Sequence, residues 1–537
     1  MKICNLIVLV MTSCMILSGC ARNSAWRTDF NEKNISECNE KCLIEKHDGF
    51  EVGFLEFSDK GNLFDDNAKK IILEKLDNYT KINKKNSGVI ILTFVHGWRH
   101  NAAPDDKNLR SFRKALEKIS KVEQKKQVKD RRKVFGLYIG WRGLSLHDGL
   151  GLTDYLTFWD RKSVAQEVGK GGVTEIFLEL DMMAKRNVKN TLLITGHSFG
   201  AAVTLSALNE ILLDRMIRMK YESTDNGSKK FITFGDGVVL LNPAIEANQI
   251  EQLFGMATEI AKLTEDQKIE NPQNEKLITI ITTSSDLATK LAFYAGQLLD
   301  NIFTSHSEID RSYLKKKIDE RYLDYTAVGH YAPFHTANLI DDVMKDPDSD
   351  EIPITNIMEK SDPNNIPTIR VIADPDHSDI IEAPDIKWKY ISCCEDPEKC
   401  SITNKKETET LCKNKYFPIS FIYLNRSFVK DHNDVFDNDK LTAFLAAGAT
   451  GSMMRKAGRK AQSPKKCKKN EKFHFPSCFN YYMCEFLENT EKDKLPMCKD
   501  ESIRIIPAQA PTPSPPNRFP KNSRKGPRIT TDRTPSL

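Results

Sequence analysis

The apolar and polar positions of the chain settle into a repeating rhythm after residue 50. Val52 to Phe57 is apolar enough for a strand, expected here at a sheet edge, and a turn follows at Asp59-Lys60-Gly61-Asn62. Asn67 to Tyr79 repeats its apolar residues at helical spacing. Val89 to Val95 (VIILTFV) is apolar almost throughout, the composition of a strand covered on both faces. Similar runs recur at Val134 to Ile139, Thr191 to Thr195, Val238 to Leu241, Leu277 to Thr282 and Ile419 to Leu424, mostly separated by charged, helix-like segments. Strands alternating with helices predict an α/β fold, a doubly wound and mainly parallel sheet with helices on both sides.

Two stretches break the rhythm. Gly143 to Gly172 reads as an aromatic loop carrying Tyr155, Phe158 and Trp159. Leu287 to Tyr416 mixes helical pattern with Asp/Pro/Asn-rich loops before the last strand, and an insertion of that size is expected to lie over the C-terminal edge of the sheet as a cap. After Ala446 the chain turns small, basic and cysteine-bearing, and from Pro507 its Pro/Ser/Arg/Lys composition predicts a disordered tail. The expected divisions are a leader at 1–20, a tether at 21–50, a main domain at 51–447 holding the insertion 287–416, a cysteine-containing extension at 448–506, and the tail 507–537.

The leader begins Met1-Lys2 and continues with an apolar run, Ile3 to Leu17, that ends in Leu17-Ser18-Gly19-Cys20. It is shorter than the roughly 20 residues a membrane span needs. It suits a signal-peptide core instead. Export gives meaning to the 13 cysteines, of which Cys4 and Cys14 leave with such a leader. Besides Cys20, the rest form an even set: Cys38, Cys42, Cys393, Cys394, Cys400, Cys412, Cys467, Cys478, Cys484 and Cys498. Disulfides are expected among them, without a deducible connectivity. No C-x-x-C pair occurs, which argues against a zinc ribbon. A net charge of +5 over 537 residues is near balance, so basic stretches such as Lys121 to Lys133 read as solvated helix faces and nucleic-acid binding is not implied. With 40% hydrophobic residues the chain can bury a large core.

The chemistry centres on Gly196-His197-Ser198-Phe199-Gly200, between the apolar Thr191 to Ile194 and the helix-periodic Ala201 to Leu213. Strand, sharp turn and helix make a nucleophile elbow: the serine is held strained and exposed, and the flanking glycines remove Cβ clashes. A serine hydroxyl then needs a base, an acid to orient that base, and donors for an oxyanion. In a doubly wound sheet these come from loops just after neighbouring strands. Asp286, following Leu277 to Thr282, is the acid candidate and is also placed to cap a helix from Leu287; Glu246 is its rival. His432, in Lys430-Asp431-His432-Asn433-Asp434 after the last apolar run, is the base candidate. His330 and His335 (GHYAPFH) are rivals better suited to building the cap, His197 is expected to point away from the serine, and His377 suits a surface loop. The oxyanion donors expected are the backbone N–H groups of Phe199 and of Trp98, the latter in His96-Gly97-Trp98. This chemistry requires no metal and no organic cofactor.

Taken together, HGW at 96–98, WRG at 141–143, GHSFG at 196–200, LNPA at 241–244, SSD at 284–286 and DHND at 431–434 resemble the α/β-hydrolase superfamily. Within it the chain is most similar to bacterial serine esterases and lipase-like proteins, over approximately Glu51 to Ala447. The resemblance implies Ser198 as nucleophile, Asp286 as acid, His432 as base, and Trp98 and Phe199 as oxyanion donors. Leu17-Ser18-Gly19-Cys20 resembles the lipobox of bacterial lipoproteins, which implies cleavage before Cys20, a diacylglycerol on its sulfur and a lipid-anchored place in the cell envelope. Ala21 rather than Asp after the cysteine is the pattern that goes with outer-membrane sorting in Gram-negative cells. An ordinary secretory cleavage site that includes a cysteine is the alternative. The expected activity is hydrolysis of a carboxylic ester or lipid through an acyl-enzyme; amide and thioester bonds use the same machinery. A catalytically silent fold acting in binding or adhesion is the rival from another class. Trp98, Trp141, Phe158 and Trp159 near strand ends suit an apolar pocket or ordinary core.

Overall fold

Long apolar runs without polar alternation cannot face water on either side, and the chain stacks them side by side. The computed structural model describes residues 19–20, 22–31, 33–38, 41–81, 87–144, 146–147, 158–222, 229–267, 269–270, 276–293, 297, 304–311, 316–341, 370–373, 379–383, 386–392, 418–424, 431–433 and 436. The leader before Gly19, His377, Tyr155, the eight cysteines from Cys393 onward, the extension 448–506 and the tail 507–537 lie outside the described residues.

Among the described residues the main sheet has 13 strands: β1 (Lys33–Asn34), β2 (Ile44–Lys46), β3 (Glu51–Phe57), β4 (Val89–Val95), β5 (Lys133–Trp141), β6 (Thr191–His197), β7 (Gly237–Leu241), β8 (Ile278–Thr283), β9 (Ala337–Asp341), β10 (Arg370–Ala373), β11 (Asp379–Ala383), β12 (Ile386–Ser392) and β13 (Ile419–Leu424). Their order is β10-β11-β12-β9-β13-β8-β7-β6-β4-β5-β3-β2-β1. From β3 through β5, β4, β6, β7, β8 and β13 to β9 every pairing is parallel. Antiparallel strands flank this block, with β2 on β3 at one side and β12 on β9 at the other. The fold is therefore α/β with a mainly parallel sheet, as the alternating pattern predicts.

Helices cover both faces. α1 (Asp66–Thr80) is capped by Asp65, which accepts from the N–H of Asn67, and α2 (Lys107–Gln124) by Asp106, which accepts from Asn108 and Leu109. α2 buries Leu109, Phe112, Ala115 and Leu116, one stripe at helical spacing. α3 (Phe158–Val168), α4 (Thr174–Ala184), α5 (Phe199–Tyr221) and α6 (Ala247–Gln267) complete the layers. α5, directly after the GHSFG turn, buries Ala201, Ala202, Val203, Leu205, Leu208 and Leu212.

Several expectations are corrected. Val52 to Phe57 is no edge strand: β3 is paired on both sides, and the edge is taken by short pieces of the expected tether, β1 and β2. Phe158 to Val168 is a helix rather than a loop. Its buried stripe, which includes Arg161, Lys162, Ala165 and Val168, carries two charged residues that also have partners far away in sequence, and this hides the periodicity. Arg161 donates to Asp59 at 3.0 Å, and Lys162 pairs with Glu246. Of the described strands of 287–416, β9 to β12 extend the sheet edgewise rather than lying over it, β9 adding to the open edge of β13 and β12 to β9, while Glu308–Arg311 and Lys316–Asp319 pair only with each other. Cys38 and Cys42, two of the ten cysteines among which disulfides are expected, are bonded to each other.

The tether is pinned rather than loose. The N–H groups of Trp26 (2.8 and 3.0 Å) and Arg27 (2.8 Å) donate to the Glu56 carboxylate, and Arg27 Nε donates to the carbonyl of Ala102 at 2.9 Å. Arg27 also donates to buried Glu45 at 2.7 Å, which Arg113 grips with two further bonds. Burial pushes the Glu45 carboxyl up, but the hydrogen bonds from His47 and Arg113 and the charge of Arg27 outweigh it and hold the group at about 2.

Candidate active site

Ser198 joins the end of β6 to the start of α5 at φ 56 and ψ −120, a backbone region that residues with a Cβ seldom occupy. Hydrogen bonds hold it there: its N–H donates to Leu241 O at 3.0 Å, and its carbonyl accepts from Ala201 at 3.0 Å and Ala244 at 3.3 Å. The flanking glycines are required by close approach. A Cβ on Gly196 would fall 2.5 Å from Gly200 O and from Thr204 Oγ1, and one on Gly200 would fall 2.1 Å from Val95 O. The strand register puts Gly196 beside Val95 and His197 beside Leu241, so the ends of β4, β6 and β7 are level.

The structure brings the three expected side chains together. His432 Nε2 lies 2.8 Å from Ser198 Oγ, and its Nδ1 lies 2.8 Å from Asp286 Oδ1. Asp286, in the turn after β8, is fully buried. Burial raises its pKa, but the charge and hydrogen bond of His432 and the donors of Thr289 pull it net below the ordinary carboxylate value. An ionised carboxylate only accepts, so Nδ1 carries the proton and Nε2 is left to accept from the serine hydroxyl.

Behind this row stand groups that sequence reasoning did not identify. Asp286 Oδ1 accepts from the N–H of Thr289 at 3.0 Å, the capping bond foreseen for this position, and Oδ2 accepts from the Thr289 hydroxyl. That hydroxyl has one proton, committed to Asp286, so at 2.9 Å it accepts from His330 Nε2. Burial lowers His330 to about 4 and keeps it neutral. On the other side, the backbone carbonyl of His432 accepts from His197 Nε2 at 2.8 Å and from Asn242 Nδ2 at 3.0 Å. Burial, reinforced by His432, pushes His197 well below the usual imidazole range, so its ring is neutral. Asn242 adopts φ 43, and its Oδ1 accepts from Thr283 at 3.1 Å. The Asn-Pro dipeptide after β7 was the available signal for this turn. Four residues past the base, Phe436 is buried against Phe94 at 5.0 Å and Phe112 at 6.2 Å.

Phe199 is the first residue of α5, so its N–H has no acceptor within the helix. The loop after β4 passes directly over the serine: a Cβ on Gly97 would lie 2.9 Å from Ser198 Cβ. The HGW and WRG segments lock together here. Trp141 donates from its backbone to His96 Nε2 at 3.0 Å and from its indole to His96 O at 2.9 Å, and Arg99 N donates to Gly143 O at 3.0 Å. Trp141 is thus core. Phe158 packs between Trp98, at 5.3 Å, and Phe199, at 4.8 Å, which lines this side of the serine with aromatic rings. The side chain of Trp159 lies outside the described residues.

The rivals take other places. Glu246 is engaged by Lys162, Gln249 and Gln297. His335 bonds to Gly329 O at 2.8 Å and stacks on Tyr423. Among the described residues no group of three or more His, Cys, Asp and Glu side chains is arranged to hold a metal. Cys20, by its backbone, pairs with Leu146. No family model matches the chain, and no match is found among curated proteins or solved structures.

Proposed function

We propose that the protein is a serine hydrolase of α/β-hydrolase type, acting on carboxylic esters and anchored to a membrane through acylated Cys20. The observation that carries the reading is the unbroken row Ser198 Oγ, His432, Asp286, with both contacts at 2.8 Å. Ser198 Oγ attacks the ester carbonyl while His432 Nε2 takes its proton, and the oxyanion is received by the N–H groups of Phe199 and Trp98. The C–O bond to the alcohol breaks, and His432 returns the proton to the leaving oxygen. Water, deprotonated by the same imidazole, attacks the acyl-enzyme carbonyl and releases the acid, and Ser198 recovers its proton. Asp286 keeps the imidazole in the tautomer this requires and stabilises its charged form.

Ser198→Ala tests the reading on a short p-nitrophenyl ester, together with labelling by a fluorophosphonate. Loss of the nucleophile should lower kcat by on the order of 10⁶ and abolish labelling at an unchanged melting profile. Undiminished turnover by the variant overturns Ser198 as the nucleophile, and a wild type that neither reacts nor labels overturns the reading in favour of a silent fold that binds.

A further inference from the structure

The geometry points to the sheet edge that carries Ser198 as the face turned toward the bilayer, and hence to an amphiphilic ester of the anchoring membrane as substrate. This rests on Ser198 as nucleophile and Cys20 as the acylated residue, and deepens that reading.

Ser198, Asp286 and His432 follow β6, β8 and β13, which run parallel through β7, so all three stand at one edge, the C-terminal ends of the strands. The N-terminal segment is fixed to the same edge. Cys20 pairs by its backbone with Leu146, in the segment that leaves the C-terminal end of β5. Trp26 and Arg27 are held by Glu56, the penultimate residue of β3, and by Ala102, in the loop that leaves β4 and carries Trp98. These attachment points meet at Gly140, near the end of β5, where a Cβ would fall 2.9 Å from Glu56 Cγ and 3.1 Å from Ala102 Cβ. The clamp is strong: Arg27 is only 3% exposed and paired with buried Glu45, and separating them would leave a buried charge without its partner.

Length then decides the orientation. From Cys20 to Trp26 the chain reaches at most about 20 Å. A strand as long as β6 runs roughly 23 Å, so the opposite edge lies farther from the anchor by about the depth of the sheet. Large apolar side chains are exposed at both edges, Leu287 (61%) and Phe64 at the Ser198 edge and Val128 (77%) and Val188 at the other. Exposure alone does not choose between them; the anchor does. Leu287 adjoins Asp286, and Phe64 N–H bonds to Glu56 O at 3.0 Å, which puts both beside the groups just described. A substrate whose tails lie in that leaflet has its ester carbonyl delivered at high local concentration.

The test uses the full, lipidated protein in phospholipid vesicles. A fluorescent unnatural amino acid replaces Leu287 in one sample and Val128 in another, and acyl-brominated phospholipid quenches whichever meets the bilayer. Several-fold stronger quenching at 287 is expected; equal quenching, or stronger quenching at 128, overturns the orientation without any reference to turnover. A long-chain glycerol ester is then placed in the protein's own vesicles or in separate ones. Hydrolysis at least about tenfold faster within the same vesicles is expected. Equal rates overturn the substrate assignment while leaving the hydrolase reading to its own test on a soluble ester. A long Gly/Ser linker inserted between residues 23 and 24 should erase the same-vesicle advantage and keep the soluble-ester rate. A free thiol at Cys20 in membrane-extracted protein overturns the whole inference.

Discussion

His197 holds the backbone carbonyl of His432 at 2.8 Å, so the residue before the serine positions the loop that carries the imidazole facing it. Asn242 supplies the second donor at 3.0 Å from the end of the neighbouring strand, while its own backbone sits at φ 43. Asn242→Ala removes this donor and the acceptor for Thr283 N–H, and places a Cβ without polar compensation in a left-handed conformation that costs about 1–2 kcal/mol. Asn242→Gly removes the same hydrogen bonds without that strain. Both should lower kcat about tenfold, the worth of one such hydrogen bond, with KM unchanged. The alanine variant alone should melt lower than the glycine one. Steady-state kinetics on a short ester and thermal melts of the two variants check this, and a changed KM at unchanged kcat would contradict a positioning role.

Thr289→Val deletes the hydroxyl between Asp286 and His330 while keeping nearly the same volume. Asp286 then loses a donor that helps hold its pKa below the ordinary value, and that pKa rises. For a carboxylate with a depressed folded pKa, the stabilisation exists above the unfolded value and disappears as pH falls through the folded one. Raising the folded pKa moves the acid loss to higher pH. The low-pH side of the kcat/KM profile should therefore shift toward neutrality in Thr289→Val, with kcat near neutral pH down by about tenfold. A pH–rate profile superimposable on the wild type would show that the hydroxyl has no part in orienting Asp286.

Which parts of this were legible follows from where each signal resides. β4 and β6 announce themselves because both faces are buried and, His197 apart, every position is apolar or small. Gly196, Ser198 and Gly200 are legible because the elbow's constraints are local: the clashes that require glycine come mainly from atoms a few residues away and from one neighbouring strand. α3 is not legible, since its Arg161 and Lys162 are buried only through Asp59 and Glu246, far away in sequence, although Arg161 also pairs with the adjacent Asp160. β12 carries a usable signal, with Ile386, Trp388 and Tyr390 alternating against Lys387 and Lys389, yet its role as an added sheet strand depends on the open edge beyond β13. Thr289 and His330, 41 residues apart, have no pattern in common; only the folded chain shows that one donates to the other.

Ser198 carries strain as well as chemistry. A non-glycine residue at φ 56 and ψ −120 costs on the order of 1–3 kcal/mol, sustained by the hydrogen bonds to Leu241 and Ala244. Ser198→Gly relieves it and gives back about 0.5–1 kcal/mol through the entropy of glycine in the unfolded chain. Ser198→Ala keeps the strain and loses the hydroxyl. Both variants should be inactive, and the glycine variant should be the more stable by about 1 kcal/mol in denaturant titrations. If alanine proves equally or more stable, the elbow is relaxed in solution.

The buried imidazoles make stability fall on mild acidification. Burial lowers His96, His330 and His335 each to about 4, and His197 lies well below the ordinary value of 6.5. For such groups the unfolded chain binds the proton first. Stability is therefore fully present above about pH 6.5 and is lost progressively as pH falls toward 4, with a slope of about 1.4 kcal/mol per pH unit for each histidine. Asp286 and Glu45, with depressed pKa values, contribute losses only at lower pH, so the two windows separate. His335 isolates the effect because it touches neither Ser198, His432 nor Asp286; its ring bonds to Gly329 O and stacks on Tyr423. His335→Gln keeps a side-chain donor for Gly329 O and removes one titrating group. Its unfolding free energy should fall less steeply between pH 6.5 and 4.5, by about 1.4 kcal/mol per unit, even if it is somewhat less stable at pH 7. Urea titrations at closely spaced pH values measure the slope directly, and parallel curves for the variant and the wild type would mean that the His335 ring is already protonated in the native protein at mildly acidic pH.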